Sequence, residues 1–204
     1  PAELEPGTVR VISVRLDYLP AEVETARVLG QPERAYVSRY ATGRDYHKLM
    51  RKRLATLAKR IEAEVGPFGY RAFVDSAPVM ERALARKAGL GWFGKNAMLL
   101  NPKAGSLFFL GELYTDLPLP VDPPFEGEHC GSCSACRTAC PTGAIVEDRV
   151  VDARACISYL TIELHGAIPE HYRKAMGNRV FGCDDCQLVC PFTRFTRTTR
   201  EPDF

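Results

Sequence analysis

From Pro1 to His129 the sequence has no cysteine, although the 204-residue chain holds eight. Scattered disulfides would not leave almost two thirds of a chain empty, and this length rules out a disulfide-stapled mini-protein. No run of about 18 apolar residues occurs, so no segment reads as a membrane-spanning helix. Charge of one sign is also lacking. Lys plus Arg total 27 against 25 Asp plus Glu, for a net +2. A globally basic nucleic-acid binder is thereby excluded, while a local basic patch is not. The opening Pro1-Ala2-Glu3-Leu4-Glu5-Pro6 has neither an initiator methionine nor a signal-peptide pattern, and is expected to be the start of a piece cut from something longer.

The cysteines that are present carry the chemistry. Cys130, Cys133, Cys136 and Cys140 precede Pro141 in the C-x2-C-x2-C-x3-C-P spacing of bacterial ferredoxins. Three thiolates two residues apart wrap one cubic cluster, and the fourth faces away where Pro141 redirects the chain. A second set, Cys183, Cys186 and Cys190 before Pro191, is one ligand short. The isolated Cys156 supplies it, giving two sites of four. The cysteine before proline ligates the opposite cluster in two-cluster ferredoxins. Cluster one is therefore expected to take Cys130, Cys133, Cys136 and Cys190, and cluster two Cys140, Cys156, Cys183 and Cys186. Secreted disulfides lack a signal and a suitable spacing, and zinc gives no reason for the x2-x2-x3-Pro pattern.

The cysteine-free part mixes strand and helix signals. Thr8 to Tyr18 alternates β-branched residues and reads as a strand. Asp45 to Val65 carries a helical stripe of Leu49, Met50, Leu54, Leu57, Ala58, Ile61 and Val65, ended by Gly66-Pro67. Its other face holds Lys48, Arg51, Lys52, Arg53, Lys59 and Arg60, either a solvated face or a phosphate contact. Tyr70–Val74 reads as a strand and Met80–Lys87 as a helix starting near Pro78. Ala97–Leu100 and Leu107–Tyr114 read as further strands. The fold class is α+β, with a proline-dense connector at Asp116–Pro124 dividing residues 1–122 from residues 123–204. Gly89-Leu90-Gly91-Trp92-Phe93-Gly94-Lys95 matches G-x-G-x-x-G but follows a helix and precedes a strand, the reverse of a dinucleotide fingerprint. Asn96 stands where a P-loop needs Ser or Thr. The segment is a tight turn with core aromatics, or a loop shaped around another large cofactor.

A set of segments resembles one family specifically. They are Tyr36-Val37-Ser38-Arg39-Tyr40, Gly43-Arg44-Asp45-Tyr46-His47, Phe73-Val74-Asp75-Ser76-Ala77-Pro78 and Ala88-Gly89-Leu90-Gly91-Trp92 with Gly94-Lys95. Phe109-Leu110-Gly111-Glu112-Leu113, Cys156-Ile157-Ser158-Tyr159-Leu160-Thr161 and Gly182-Cys183-Asp184-Asp185-Cys186-Gln187 complete it. From about Pro6 to Phe204 the chain is similar to epoxyqueuosine reductases, cobalamin-dependent iron–sulfur enzymes of tRNA modification. The resemblance implies a cobalamin-binding α/β sandwich domain followed by a ferredoxin-like domain with two [4Fe-4S] clusters. It implies reduction of the epoxide of epoxyqueuosine, at the tRNA wobble position, to queuosine in the cytoplasm. Family members carry a further N-terminal segment and C-terminal helical repeats.

Under that resemblance Asp75, between Ala72-Phe73-Val74 and Ala77-Pro78-Val79, is the candidate acid for the departing oxygen. An apolar pocket would keep it protonated, and its structural alternative is a turn or helix cap. Lys95, Asn96, Leu99, Leu110 and Gly111 are expected along the corrin, through backbone groups more than side chains. Ser158 is expected between cofactor and cluster two or as a helix cap, and Ser38 near the cobalt face or as a loop serine. No histidine stands in an Asp-x-His-x-x-Gly setting, so cobalamin is expected without a protein imidazole. His47, His129, His165 and His171 are expected to be structural or surface residues. The expected partners are the tRNA anticodon stem-loop and an electron donor, with no membrane and a monomeric chain. The basic helix face and Arg194, Arg197 and Arg200 are tRNA candidates. Phe192 and Phe195 would stack on bases or cover a cluster. Two other readings are a two-cluster electron-transfer module and a dehalogenase-like enzyme acting on a small molecule.

Overall fold

The computed structural model describes residues 1–20 and 24–204. The first part contains β1 (Arg10–Asp17), α1 (Thr25–Leu29), β2 (Tyr36–Val37), α2 (Tyr46–Val65), β3 (Tyr70–Phe73) and α3 (Glu81–Lys87). It continues with β4 (Trp92–Phe93), β5 (Leu99–Leu100) and β6 (Phe108–Thr115). After the connector come α4 (Ala135–Ala139), β7 (Ile145–Glu147), β8 (Val150–Val151), α5 (Ile157–Ile162) and α6 (Glu170–Met176). The chain then runs through β9 (Arg179–Phe181) and α7 (Asp185–Leu188).

The main sheet is antiparallel in the order β1-β6-β3, with Val14 opposite Gly111 and Ala72 opposite Leu113. Its central strand β6 is covered on both faces, and its alternating side chains divide between them. Phe109 joins Tyr18, Met50, Leu54, Val74 and Leu107 on the α2 side. Phe108 joins Ala85, Leu99 and Ala104 on the side of α3 and the β4–β5 hairpin. Gly111 is glycine because α2 lies against it: a Cβ there would sit 2.9 Å from Met50 Cε and 3.2 Å from Leu54 Cδ1.

The α2 stripe buries Met50, Leu54 and Ala58, while Val65 at its end stays exposed. Asp45 caps the helix by accepting the His47 amide at 3.0 Å, and Gly66 (φ +87°) closes it. The helix α3 begins at Glu81, three residues beyond Pro78, because the intervening chain is a tight turn. The strand expected at Ala97–Leu100 shrinks to the two residues of β5, since Ala97 takes a left-handed φ of +62°. The glycine-rich segment forms the β4–β5 hairpin. Gly91 permits its closure, as a Cβ there would lie 2.0 Å from the Leu100 carbonyl oxygen. Trp92 is buried against Phe125, His129 and Phe192, so of the two sequence readings the core-aromatic one describes this turn.

The connector has no regular structure from 116 to 130, yet the segments on either side of it interlock. Parallel β2 and β9 pair, and Asn178 Nδ2 donates to the carbonyls of Val28, Gln31 and Arg34. Asp184, 1% exposed, accepts from Tyr36 Oη and Ser38 Oγ at 2.6 Å each and from the Arg39 amide at 2.8 Å. Burial, reinforced by the Asp184 charge, pushes the Tyr36 phenol far above its usual range, so it remains a donor. Asp184→Ala strands three donors in the interior. It is expected to cost about 3 kcal/mol or more, read as a lower denaturation midpoint of the cluster-loaded protein.

Candidate functional site

All eight cysteines are free thiols, seven of them half-buried and Cys133 exposed. Cys136 sits on α4, which ends at Ala139, and Cys140 is extended before Pro141 as the proline requires. Cys186 lies on the short helix α7. A cavity of about 120 Å³ is lined by Cys130, Cys133, Cys136 and Cys190, together with Lys95 and Asn96. That is the first crossed set, drawn from two stretches of chain about fifty residues apart. Burial raises the Cys190 thiol, and Cys130 and Cys133 are the neighbouring thiols that raise it further. Burial also lifts Cys186 to about 12, with Cys156, Cys136 and Cys140 as its thiol neighbours. Burial pushes Cys183 higher still, and its Sγ approaches Asp185 Oδ2 at 2.9 Å.

These surroundings fit iron–sulfur clusters. Among the described residues no three His, Cys, Asp or Glu side chains converge as a single metal ion requires. Four thiolates around one zinc stand only about 3.8 Å apart, from Zn–S distances near 2.3 Å, whereas a cubic cluster spreads its ligands wider. Cys140 Sγ accepts the Ala144 amide at 3.2 Å, a bond of the kind that tunes cluster potential. Phe192 packs edge-on against Trp92 and lines the cavity beside the four cysteines; Phe195 remains 39% exposed beside Arg194.

The second centre lies where β3 ends against the first turn of α2. Asp75 adopts a left-handed φ of +44°, a strained conformation for a non-glycine residue. Its side chain is 57% exposed, and no apolar pocket encloses it. Asp75 Oδ2 accepts from the Tyr46 hydroxyl and lies 3.4 Å from His47 Nε2. The Tyr46 ring stacks on Phe109 at 4.0 Å and on His47 at 4.1 Å, which fixes its direction. Burial and the bond to Asp75 hold the Tyr46 phenol far above its usual range. His47 Nδ1 is tied to Asp45 Oδ1 at 2.9 Å. Sequence reasoning placed His47 among the structural or surface residues and gave Tyr46 no role. The only signal was their adjacency at the start of a helix, which does not say what faces them.

The expected corrin contacts scatter. Ser38 is buried with its hydroxyl spent on Asp184, and Gly182 must be glycine beside it, since a Cβ would lie 2.5 Å from Ser38 Cβ. Leu99 is core, and Leu110 and Gly111 face opposite sides of β6. Lys95 pairs with Asp148 at 3.3 Å, and Asn96 Nδ2 donates to the Cys186 carbonyl at 3.2 Å, both beside the cluster cavity. Ser158 is half-buried on α5. The Ser38 hydroxyl is thus already engaged and the Leu99 side chain packed in the core. On the α2 face Arg53 is neutralised by Glu201, whereas Lys52, Lys59 and Arg60 form no ion pair among the described residues. Among the described residues no helix is long and apolar enough to cross a membrane.

Comparison with known proteins accounts for both halves. A family model described as "Epoxyqueuosine reductase QueG, DUF1730" matches residues 1–76, and one described as "4Fe-4S double cluster binding domain" matches residues 129–193. The epoxyqueuosine reductase of Pseudomonas aeruginosa is 68% identical over 204 residues, all of this chain and 56% of that protein. The chain is similar to epoxyqueuosine reductases over its whole length. It spans about half the length of the curated relatives it matches. A solved epoxyqueuosine reductase carrying an epoxyqueuosine-modified tRNA-Tyr stem loop is 33% identical, with a TM-score of 0.87 over 100% of this chain and 53% of that one. Another, from Bacillus subtilis, has its aspartate-bearing catalytic loop swung out of the active site. It is 32% identical, with a TM-score of 0.86 over 100% of this chain and 53% of that one. A reductive dehalogenase structure described as suggesting a mechanism for B12-dependent dehalogenation shares the fold, at 20% identity and a TM-score of 0.59 over 90% of this chain and 26% of that one.

Proposed function

We propose that this chain is the catalytic centre of an enzyme that reduces the epoxide of epoxyqueuosine in a tRNA anticodon stem-loop to the alkene of queuosine. The observation that carries the chemistry is Asp75, exposed on a strained turn with Tyr46 and His47 gathered on one of its two oxygens. A plain electron-transfer module has no use for that arrangement. The reaction consumes two electrons and two protons, breaks both epoxide C–O bonds and releases the oxygen as water. The eight cysteines would hold two [4Fe-4S] clusters, which would supply the electrons one at a time from a separate donor.

Asp75 supplies a proton to the departing oxygen. Tyr46 donates to Oδ2, which assigns the transferable proton to Oδ1. That oxygen has no hydrogen bond among the described residues. A corrinoid is proposed as the centre that meets the substrate. Its support is the family resemblance and the shared dehalogenase fold, and no step above runs through it. The ligand sets are proposed as crossed: Cys130, Cys133, Cys136 and Cys190 for one cluster, Cys140, Cys156, Cys183 and Cys186 for the other. The exposed Lys52, Lys59 and Arg60 are proposed to meet tRNA phosphates. A tRNA substrate places the enzyme in the cytoplasm. The test is conversion of an epoxyqueuosine stem-loop by the full-length, cluster-loaded enzyme under anaerobic reduction. Loss of conversion in Asp75→Asn supports the acid role; normal turnover in that variant overturns it.

A further inference from the structure

Beneath the Asp75 turn lies a pair of carboxyl groups that the reaction does not touch. Glu112 projects from β6 toward α3 and is 0% exposed. Ser13 Oγ on β1 donates to its Oε1 at 3.3 Å, while Oε2 has no donor from any described protein group. The acidic group whose charge acts on Glu112 is Glu81, the first residue of α3. Two acceptors meet in the interior only when one proton lies between them, because an unpaired buried acceptor is costly and two buried like charges more so. Glu81 Oε1 in turn accepts the Asp75 amide at 2.6 Å. Thus Ser13, Glu112, Glu81 and the Asp75 backbone form one connected chain from the sheet to the turn.

We infer that Glu81 and Glu112 are positioning residues for Asp75, a carboxyl pair holding one proton whose Glu81 end fixes the left-handed turn that aims the Asp75 side chain at Tyr46 and His47. This rests on the acid role of Asp75. A left-handed aspartate is strained, and a charge-assisted bond to its amide offsets that strain. Glu81 caps no other group in that turn. The charges that reach the pair are those of Asp75 on the turn and His47 on α2, with the Tyr114 phenol on β6. Burial, and next the Glu81 charge, push Glu112 from 4.5 up to about 8. A carboxyl raised on folding binds its proton more tightly in the folded state. Its stabilising contribution is therefore complete below pH 4.5 and is lost as pH rises to about 8. Glu112→Gln keeps a donor toward Glu81 at every pH. The thermal midpoint of that variant is expected to gain on the wild type steadily between pH 5 and 8.

The test uses full-length, cluster-loaded enzyme, with iron content confirming that each variant is folded. Amide hydrogen exchange of residues 74–79 and steady-state kinetics are measured for wild type, Glu81→Ala and Glu81→Gln. Glu81→Ala is expected to speed exchange and lower kcat about 10- to 100-fold with KM for the tRNA unchanged, the effect of a misplaced group. Glu81→Gln, whose carbonyl accepts the Asp75 amide and whose amide donates to Glu112, is expected to restore both. Unchanged exchange in Glu81→Ala overturns the inference, as does failure of Glu81→Gln to rescue. Fast exchange with normal kcat in Glu81→Ala also overturns it. Normal turnover in Asp75→Asn instead removes the acid role and leaves the exchange data to judge the turn alone.

Discussion

Asp75→Asn lowers turnover of the full-length enzyme by about 10²- to 10⁴-fold, the range that positioned general acids supply, while iron content and fold stay as in the wild type. Asparagine is isosteric, keeps the amide bond to Glu81 and still accepts from Tyr46 through its side-chain carbonyl. It carries no acidic proton for the departing oxygen. Nothing in the core changes, because the Asp75 side chain is largely exposed and packs into no apolar cluster. Tyr46→Phe removes only the donor to Oδ2 and leaves the ring stacked on Phe109, so its loss should be smaller. Comparing these two variants by single-turnover conversion separates the proton from the group that orients it. Equal losses would mean that Tyr46, not Asp75, holds the reacting proton.

The second large effect concerns the cysteines. Two four-iron clusters require about eight irons per chain. In the crossed arrangement Cys140 and Cys186 serve the same cluster, so the double variant Cys140→Ala/Cys186→Ala retains about four irons. Cys140→Ala/Cys190→Ala strikes both clusters and retains almost none. If each run instead ligated its own cluster, Cys140 and Cys186 would belong to different sites and the first double variant would also lose nearly all iron. Anaerobic iron analysis with low-temperature electron paramagnetic resonance decides between them. Turnover should vanish in every case, because a break anywhere in the electron path stops the second electron. The cavity lined by Cys130, Cys133, Cys136 and Cys190 is the structural ground for expecting the crossed result.

Much of this was legible in the residues themselves, and the exceptions are instructive. The α2 stripe and its Gly66-Pro67 stop were readable because helical periodicity and capping act over a few residues. The cluster cysteines were readable for the same reason, Cys130 to Cys140 and Cys183 to Cys190 each lying within about ten residues. The connector at 116–124 was visible as composition. The interlock across it through Asp184 was not, since Tyr36 and Ser38 stand almost 150 residues from their acceptor. Ser38 looked available for a cofactor because nothing local uses its hydroxyl. Leu110 and Gly111 looked like one lining segment, and the two-residue period of β6 sends them to opposite faces.

Local spacing alone pointed to two iron–sulfur sites, because the x2-x2-x3-Pro pattern lies within a few residues, while the crossed ligand sets need the fold to bring distant stretches together. Asp75 was singled out by the family resemblance, since local pattern alone favours a turn or helix cap there. Only the tertiary structure decided what Asp75 meets: Tyr46 and His47 from the start of α2 and Glu81 from α3, with Glu112 of the central strand behind Glu81. Those groups are 28 to 37 residues away along the chain or, for Glu81, across a tight turn, and no periodicity links them. A proton-bearing site depends on which groups share a few ångströms of space, and that is set by how β6 is sandwiched between α2 and α3.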